Sequence, residues 1–195
     1  MKRCLDIIIS AIGLIIISPI LLVTSIWIKT DSEGPIFYKQ TRVGRYGKDF
    51  KIYKFRSMYI NSDKKGLITI GDRDSRVTRS GYYIRKYKID ELPQLFNVLI
   101  GDMSLVGPRP EVRKYVDLYT KDQMQVLNVR PGITDAASIK YRNENELLAQ
   151  QTDPDQYYIQ VIMQDKLRIN MDYAANHTIA GDIKLILKTI EVIIK

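Results

Sequence analysis

IIISAIGLIIISPILLVTSIWI, residues 7–28, is an apolar run without a charged residue near the beginning of a 195-residue chain. As a straight helix, its roughly 22 residues would reach about 33 Å, enough to cross the hydrocarbon core of a bilayer. The run is too long for a secretory signal, and no small-x-small cleavage site follows it. We therefore expect a permanent membrane anchor.

The path of this anchor depends on Ser18 and Pro19, which lie near its midpoint. Proline removes a helical hydrogen bond and clashes with the preceding turn, so we expect a kink there. Basic residues flank the run on both sides and therefore do not select the orientation of a span: Lys2, Arg3, Lys29, Lys39, Arg42 and Arg45. The residues alone leave open whether the chain crosses the membrane or returns to the same face.

Composition limits what the rest of the chain can be. With 45% hydrophobic residues, 195 residues are enough for one core, so we expect one folded domain. Cys4 is the single cysteine, which excludes an internal disulfide and makes structural zinc improbable. His177 is the single histidine, and its setting in AANHTIAGD predicts a cap or loop position rather than a catalytic one.

The formal charge of +8 is concentrated in one part of the chain. Residues 39–88 contain fifteen Lys and Arg against four acidic residues. Such a basic run suits nucleic acid, anionic lipid headgroups or a small polyphosphate, and a solvated surface explains it equally simply. The preceding apolar anchor argues against nucleic acid as the partner.

Two short runs rich in β-branched and aromatic residues, 36–38 and 50–55, are separated by Gly44 and Gly47 and predict a hairpin. In the second run we expect the apolar side chains to pack inward and the basic ones to point mainly away: Phe50, Ile52 and Phe55 against Lys51, Lys54 and Arg56. Two stretches rich in turn-forming residues predict loops: NSDKKG (61–66) and GDRDSR (71–76).

In KIDELPQLF, residues 88–96, two carboxylates precede a helical pattern. Leu92, Leu95, Phe96 and Leu99 follow the i, i+3, i+4, i+7 spacing of one apolar helix face. Proline is tolerated in the first turn of a helix, so Pro93 predicts a helix that begins near residue 90. Asp90 and Glu91 then lie at its amino-terminal end, and an acidic helix cap is the simplest explanation for them.

The surroundings of this acidic pair favour a chemical role instead. Arg85, Lys86 and Lys88 lie just upstream, and cations keep a carboxylate ionised. Downstream, Arg109 lies between two prolines whose fixed φ angles restrict it. An ionised carboxylate can attack phosphorus while cations neutralise the transferring phosphoryl group. Together with the anchor, this pattern points to phosphoryl transfer at a bilayer surface.

The carboxyl-terminal part predicts helices. In the segment beginning PDQYYIQVI, four residues are expected in the core: Tyr157, Tyr158, Val161 and Ile162. The last helix has an apolar stripe opposite its charged residues: Ile183, Ile186, Leu187, Ile190 and Ile194. Packing of this stripe on the domain is the simpler interpretation, and contact with the membrane interface is the alternative.

At these motifs the sequence resembles the bacterial sugar transferases, the small monotopic phosphoglycosyl transferases. The resemblance covers nearly the whole chain: the Ser18-Pro19 anchor, GPIFYKQTRVGRYGKDFKIYKFRSM, DELPQLFNVLIGDMSLVGPRPE, VRPGIT and DIKLILKTI. It implies a re-entrant membrane helix broken at Ser-Pro. It also implies a two-step reaction, in which Asp90 attacks the β-phosphate of a UDP-sugar and undecaprenyl phosphate then takes the phosphosugar from the enzyme.

The resemblance further assigns roles to individual residues. Glu91 would activate the acceptor or organise the acidic pair, and Mg²⁺ would bridge Asp90, Glu91 and the diphosphate. Basic residues expected around the substrate are Lys54, Arg56, Arg85, Arg109, Arg130 and Arg142. Where many members read GWAQVNGRN, this chain has DAASIKYRN, residues 135–143, so the identity of the sugar is not fixed.

These observations predict a helix-rich α+β protein with a small hairpin part. Residues 1–30 form the re-entrant membrane helix, and residues 31–195 form a catalytic domain on the cytoplasmic face of the bacterial inner membrane. Its expected partners are a UDP-sugar, undecaprenyl phosphate and membrane lipid, without nucleic acid, and a homodimer is left open. Two other hypotheses are a membrane-tethered basic binding module without catalysis and a metal-dependent phosphohydrolase that uses the same acids.

Overall fold

The computed structural model describes residues 1–62 and 74–194. The predicted loops at 61–66 and 71–76 fall largely outside these described residues. The apolar run lies in one long helix, α1 (Lys2–Asp31), which includes Pro19. The Ser18 hydroxyl donates to the Ile15 carbonyl at 2.8 Å. The helix continues on both sides of Pro19, so the predicted break and re-entrant path stay predictions.

Helix α1 is attached to the rest of the protein near both ends and exposed in its middle. Among the described helices, it is the one long and apolar enough to cross a membrane. The buried residues of α1 lie towards its two ends: Asp6, Ser10, Thr24 and Ile28. Ile15 and Ile16, in its middle, are 75% and 69% exposed. A largely uncovered apolar surface of this length agrees with a membrane location.

The predicted hairpin is confirmed. Strands β1 (Phe37–Val43) and β2 (Asp49–Phe55) pair antiparallel, with Phe37 opposite Phe55 and Val43 opposite Asp49. Ile52 and Phe55 are buried, as expected. The basic side chains do not all point away, because Arg56 is only 4% exposed. Its guanidinium donates to carbonyl oxygens near the end of α1, which satisfy the buried charge.

Helix α2 (Arg79–Lys86) and the next helix enclose the acidic pair. The helix predicted to begin near residue 90 begins instead as α3 at Gln94 and ends at Ile100. Asp90 and Glu91 lie in a separate single 3₁₀ turn, Ile89–Glu91. The predicted start was wrong because Pro93 serves as the N-cap of α3 rather than as a residue of its first turn.

The apolar face of α3 does not coincide with the residues that α3 buries most deeply. The residues that α3 buries are Gln94, Asn97 and Val98, whereas Phe96 and Ile100 are 44% and 65% exposed. Two polar residues are buried because they lie against other elements: Asn97 hydrogen-bonds the backbone of β2. Leu92, Leu95 and Leu99 are half-buried, and Leu95 lies close to Gly13 of α1, so the protein covers the apolar face of α3 only in part.

A second, parallel pair of strands supports residues 108–110, which contain Arg109 and which we call the arginine loop. Strand β3 (Ser104–Val106) pairs with β4 (Gly132–Thr134). The backbones of Gly107 and Gly132 come so close that a Cβ added to Gly132 would lie 2.1 Å from the Gly107 nitrogen. Only glycine allows this close approach of two backbones. After β3 and Gly107, the chain continues into Pro108, Arg109 and Pro110.

The remaining elements are helical and contain the largest cluster of buried apolar residues. They are α4 (Arg113–Val116), α5 (Ala136–Lys140), α6 (Glu144–Ala149), α7 (Pro154–Tyr157), α8 (Met163–Asn176) and α9 (Ile179–Ile194). A π-helical turn, Tyr158–Ile162, joins α7 to α8. The expected core position is confirmed for Tyr158 and Ile162, whereas Val161 is 44% exposed.

Two further expectations concern the carboxyl-terminal part. His177 follows α8 as its C-cap, as predicted. The simpler interpretation of the last helix was wrong, because the apolar stripe of α9 is largely uncovered: Ile183, Leu187 and Ile190 are each about half exposed or more. The mixture of helices with two small strand pairs agrees with the expected α+β class.

Candidate active site

A short irregular segment between α2 and α3 places the acidic pair. Lys88 adopts a left-handed conformation, with φ of 56°. This reverses the chain after α2, and the Glu91 amide then donates to the Lys88 carbonyl at 3.2 Å. Asp90 is buried, only 6% exposed, and its Oδ1 has no hydrogen-bond partner among the described residues. A buried carboxylate oxygen without a donor is costly, which is typical of a group kept for a ligand or for chemistry.

Both carboxylate oxygens of Glu91, by contrast, accept hydrogen bonds. The Lys54 ammonium, from β2, donates to Glu91 Oε1 at 2.9 Å. The Arg109 guanidinium donates to both carboxylate oxygens, at 2.5 Å to Oε1 and 3.2 Å to Oε2. This is the paired geometry that an arginine fork makes with a carboxylate. Three distant parts of the sequence therefore meet at Glu91, next to the unpartnered Asp90.

The two carboxyl groups differ electrostatically. Burial raises the pKa of Asp90, the nearby Lys54 charge opposes this effect, and the Glu91 charge adds to it. Burial also acts to raise the pKa of Glu91, but Arg109 and Lys54 together outweigh it and hold that pKa well below its usual range. Glu91 is thus a fixed anion, because its counter-cations are bonded to it. Asp90 is the more buried of the two, and its pKa is raised.

Lys54 belongs to this site although it is almost enclosed. Burial lowers the pKa of its ammonium, while Glu91 opposes that effect. The Arg109 charge also lowers it. Lys54 and Arg109 both bond the single Glu91 carboxylate, so two positive charges meet one negative charge. The excess positive charge is available to a second anion. A phosphate placed beside Asp90 would meet this charge directly.

Asn97 is a positioning residue that sequence reasoning missed. Its side-chain Nδ2 donates to the Lys51 carbonyl at 2.8 Å, and its Oδ1 accepts from the Tyr53 amide at 2.9 Å. Asn97 therefore joins α3, which follows the acidic pair, to β2, which carries Lys54. An asparagine within an otherwise apolar helical pattern was the signal that could have identified it.

Hydrogen bonds from neighbouring strands fix the backbone on both sides of Arg109. The Gly107 amide donates to the Thr134 carbonyl at 3.0 Å, and the Gly132 amide donates to the Pro108 carbonyl at 3.0 Å. On the other side, the Arg42 guanidinium donates to the Pro110 carbonyl at 3.0 Å. The two flanking prolines predicted a restricted backbone at Arg109, and hydrogen bonds to β1 and β4 restrict it further.

The structure distributes the other predicted basic residues differently. Arg85 is half-buried, and its charge acts on Asp90 to lower the pKa of that carboxyl. Arg56 bonds the Pro35 and Ser32 carbonyls near the end of α1. The Arg130 Nε donates to the Gly101 carbonyl at 2.9 Å, and Arg142 is exposed. Asp90, Glu91, Lys54, Arg85 and Arg109 are therefore brought together, while Arg56 and Arg130 support neighbouring backbone.

The residues present fit a magnesium ion only if substrate completes its shell. Within residues 1–62 and 74–194, no group of three or more His, Cys, Asp or Glu side chains is arranged to hold a metal. Asp90 Oδ1, which is buried and without a partner, is a suitable oxygen ligand next to the Glu91 carboxylate. Mg²⁺ characteristically uses one or two carboxylates together with substrate phosphates and water. The acidic pair meets that requirement.

The fold and the site together define a membrane-located α+β protein with a buried acidic pair surrounded by cations. Comparison with known proteins makes this specific, since the model of the family "Bacterial sugar transferase" matches residues 1–195. The chain belongs to the bacterial sugar transferase family.

Three curated relatives show what kinds of protein the chain resembles. It is 41% identical, over 99% of its length, to a UDP-N-acetylgalactosamine-undecaprenyl-phosphate N-acetylgalactosaminephosphotransferase of Aeromonas hydrophila. It is 38% identical, over 97%, to a UDP-glucose:undecaprenyl-phosphate glucose-1-phosphate transferase of Klebsiella pneumoniae. It is 37% identical, over 100%, to an undecaprenyl-phosphate galactose phosphotransferase of Salmonella typhimurium. The matched parts are 43%, 39% and 40% of those proteins, so the chain spans about two fifths of their length.

Proposed function

We propose that this protein transfers a sugar-1-phosphate from a UDP-sugar to undecaprenyl phosphate, giving an undecaprenyl-diphosphate sugar and UMP. One observation carries the proposal. Asp90 is buried with an unpartnered oxygen, beside a Glu91 that Lys54 and Arg109 already neutralise. The names of the relatives support the same donor and acceptor classes.

In the first step, an Asp90 carboxylate oxygen attacks the β-phosphorus of the UDP-sugar. The bond from that phosphorus to the oxygen bridging the two phosphates breaks, and UMP leaves with the electron pair. The product is an acyl phosphate between Asp90 and the phosphosugar. Lys54 and Arg109 are placed to stabilise negative charge on the phosphoryl oxygens, since both surround the adjacent Glu91.

In the second step, a phosphate oxygen of undecaprenyl phosphate attacks the same phosphorus. The bond to Asp90 breaks, which restores the carboxylate and releases the lipid-linked product. Glu91 orients Lys54 and Arg109 throughout, because its low pKa keeps it ionised. Burial of Asp90 excludes water that would otherwise hydrolyse the intermediate.

Mg²⁺, held by Asp90 and Glu91 with the diphosphate, would supply charge neutralisation at the phosphoryl group. The relatives do not indicate which sugar this protein transfers, because the three are named for three different sugars. The proposal therefore extends to the class of UDP-hexoses and leaves the particular hexose to be measured.

We also propose a re-entrant path for α1, with residues 31–195 on the cytoplasmic face of the inner membrane. At its beginning, the Asp6 carboxylate accepts from Ser104 Oγ at 2.9 Å and from the Leu105 amide at 3.1 Å. At its end, Asp31 accepts from the Ser80 amide at 2.9 Å. Both ends of α1 therefore bond to the same domain, whereas a spanning helix would separate them by about 30 Å of hydrocarbon.

The uncovered faces of two other helices support this placement. Phe96 and Ile100 of α3 are exposed, as are Ile183, Leu187 and Ile190 of α9. Amphipathic helices with such faces lie in the headgroup region of a membrane. The acidic pair directly precedes α3, so an interfacial α3 would keep Asp90 within reach of a lipid phosphate.

This role would place the protein at the first membrane step of a polysaccharide or glycoprotein pathway. The proposal is tested by UMP release from UDP-sugars with undecaprenyl phosphate, comparing the wild type with Asp90→Asn in detergent or nanodiscs. We expect Asp90→Asn to abolish UMP release while it stays in the membrane fraction. Retained turnover would remove Asp90 as the nucleophile, and UMP release that needs no lipid acceptor over many turnovers would indicate a hydrolase.

A further inference from the structure

One face of helix α2 has no role in the steps described so far. Five exposed residues at the helical spacing i, i+3, i+4, i+7 and i+8 form it, and we call it the outer face of α2: Arg79, Tyr82, Tyr83, Lys86 and Tyr87. Its three tyrosines are 39%, 46% and 55% exposed. Neighbouring exposed aromatic rings of this kind mark a surface that contacts a partner or a membrane.

The opposite side of α2 is packed directly against the chain that follows β2. Ser80, Gly81 and Ile84 are buried there. A Cβ added to Gly81 would lie 2.0 Å from the Ser57 carbonyl oxygen, so the two backbones touch at this point. The Thr78 hydroxyl caps the helix by accepting from the Gly81 amide at 3.0 Å. These contacts fix the rotation of α2 and direct its outer face away from the protein.

The outer face of α2 continues the exposed surface of α1 near the end of that helix. The ring centroids of Trp27 and Tyr83 lie 6.0 Å apart, and Tyr83 meets Tyr82 edge to face at 5.2 Å. The Asp31 carboxylate accepts from the Ser80 amide at 2.9 Å, which joins the end of α1 to the start of α2. Trp and Tyr are enriched where a membrane meets water. Trp27 lies near a membrane surface whether α1 spans or re-enters, because it is the penultimate residue of the apolar run.

The charge of the outer face is entirely positive. Residues 79–89 include four cationic residues and no acidic one. Arg79 and Lys86 are exposed, and the Lys86 ammonium lies 5.8 Å from the centroid of the Tyr87 ring. Tyrosines with cations also suit single-stranded nucleic acid. Continuity with a membrane helix favours lipid instead, and cations at that level attract anionic headgroups.

We infer that the outer face of α2 docks on the bilayer surface and that anionic phospholipid is its partner there. The tyrosine rings lie at the level of the headgroups, and Arg79 and Lys86 extend to the lipid phosphates. Helix α2 leads into the Ile89–Glu91 turn, so this contact sets the height of Asp90 above the bilayer. The inference requires the membrane location of α1 but not the chemistry of Asp90, so it can fail or hold independently of the proposed function.

Single-tryptophan proteins test the docking, because Trp27 is the one tryptophan of the chain. In a Trp27→Phe background, Tyr82→Trp and Tyr87→Trp each place a fluorescent probe on the outer face. Tyr46→Trp is the matched control, at an exposed tyrosine in the turn of the β1–β2 hairpin. In nanodiscs of phosphatidylcholine brominated near the top of its acyl chains, emission from both α2 probes should fall at least about twofold, and that from the control by less than about a tenth, because only rings at the interface contact these lipid segments. If one α2 probe does not fold, the other provides the same test.

Placing the bromine on one lipid class at a time tests the charge of the partner. At equal fractions, brominated phosphatidylglycerol should quench the Tyr87→Trp probe about 5-fold more effectively than brominated phosphatidylcholine, the attraction expected of a cation near an anionic surface. Arg79→Gln combined with Lys86→Gln should bring this ratio close to one. Lys48→Gln, at an exposed lysine of the hairpin turn, is the control and should leave the ratio unchanged. These readouts need no turnover, so quenching in a protein that releases no UMP would contradict the proposed function alone.

Three results would overturn the inference. Quenching of the α2 probes no stronger than that of the Tyr46→Trp control would show that the outer face lies away from the bilayer. Probes shielded from acrylamide in the water but not quenched by lipid would show that protein covers the face, such as a second copy of this chain. Equal quenching by the two brominated lipids would show that the face does not recognise anionic headgroups.

Discussion

Arg109 and Glu91 form a two-point salt bridge inside the protein, with contacts of 2.5 Å and 3.2 Å, directly beside Asp90, whose Oδ1 has no hydrogen-bond partner in the part of the chain that the structure describes. The two adjacent acidic residues therefore have opposite surroundings. Glu91 fixes the positions of Lys54 and Arg109, and Asp90 is left free to react. Three of our predictions follow from how this arrangement is built, a fourth concerns the path of α1, and a fifth tests the chemistry of Asp90.

Arg109→Lys should keep the positive charge but lose the fork on Glu91. We expect kcat/KM for the UDP-sugar to fall about 100-fold or more, as when one preorganised donor is removed from a charged transition state. The measurement is the rate of UMP release. Arg113→Lys, at an exposed arginine that bonds Asp49, is the control and should change the rate by less than about twofold. Equal rates for both variants would contradict the role given to Arg109.

Asn97→Leu should loosen the connection between α3 and β2. The change leaves the Tyr53 amide and the Lys51 carbonyl without their partners, and each buried orphan costs about 1–3 kcal/mol. We expect the unfolding midpoint in denaturant to fall accordingly, with lower activity because Lys54 lies on the same strand. An unfolding midpoint equal to the wild type would show that Asn97 does not hold the two elements together.

Gly132→Ala should disrupt the support of the arginine loop. Its new Cβ would lie 2.1 Å from the Gly107 nitrogen and 2.4 Å from the Gly107 oxygen, both backbone atoms that cannot turn away. We expect a loss of about 3 kcal/mol or more of stability, comparable with severe overpacking. Gly13→Ala is a suitable control, because its nearest contact would be an ordinary 3.5 Å to Leu95. Similar melting temperatures for the two variants would contradict the close approach.

Single cysteines at Met1 and at Glu33, in a Cys4→Ser background, test the path of α1. Both positions are exposed and lie just outside the helix. In sealed inverted vesicles, we expect an impermeant maleimide to label both, because the two ends of α1 bond the same domain. The same vesicles opened with detergent give the total label. Labelling of only one position before opening would establish a spanning helix instead.

The sequence predicted the elements whose signals are local. The anchor, the hairpin and the cap position of His177 required only hydrophobicity, turn residues and chain spacing, and the structure contains all three. The acidic pair was expected to lie near cations, and it does, but the sequence could not predict which of the two carboxylates those cations bond. Lys54 and Arg109 bond Glu91, an arrangement that arises only from tertiary contacts.

Helix α3, which follows Asp90 and Glu91, shows why the packing of the helices could not be predicted. Its apolar spacing predicted one apolar face, yet α3 buries Gln94 and Asn97 and exposes Phe96. Periodicity reports which side chains share a face but does not report whether that face meets protein or lipid. The apolar stripe of α9 was misinterpreted for the same reason.

The central claim is that Asp90 forms a covalent bond to phosphorus before the lipid does. Protein treated with UDP-sugar in the absence of acceptor, quenched in acid and digested at low pH, can be analysed by mass spectrometry for a sugar-phosphate adduct. We predict the adduct on the peptide that contains Asp90 and its loss when undecaprenyl phosphate is added before the quench. An active enzyme that carries no adduct under these conditions, or carries it on another peptide, would contradict the account.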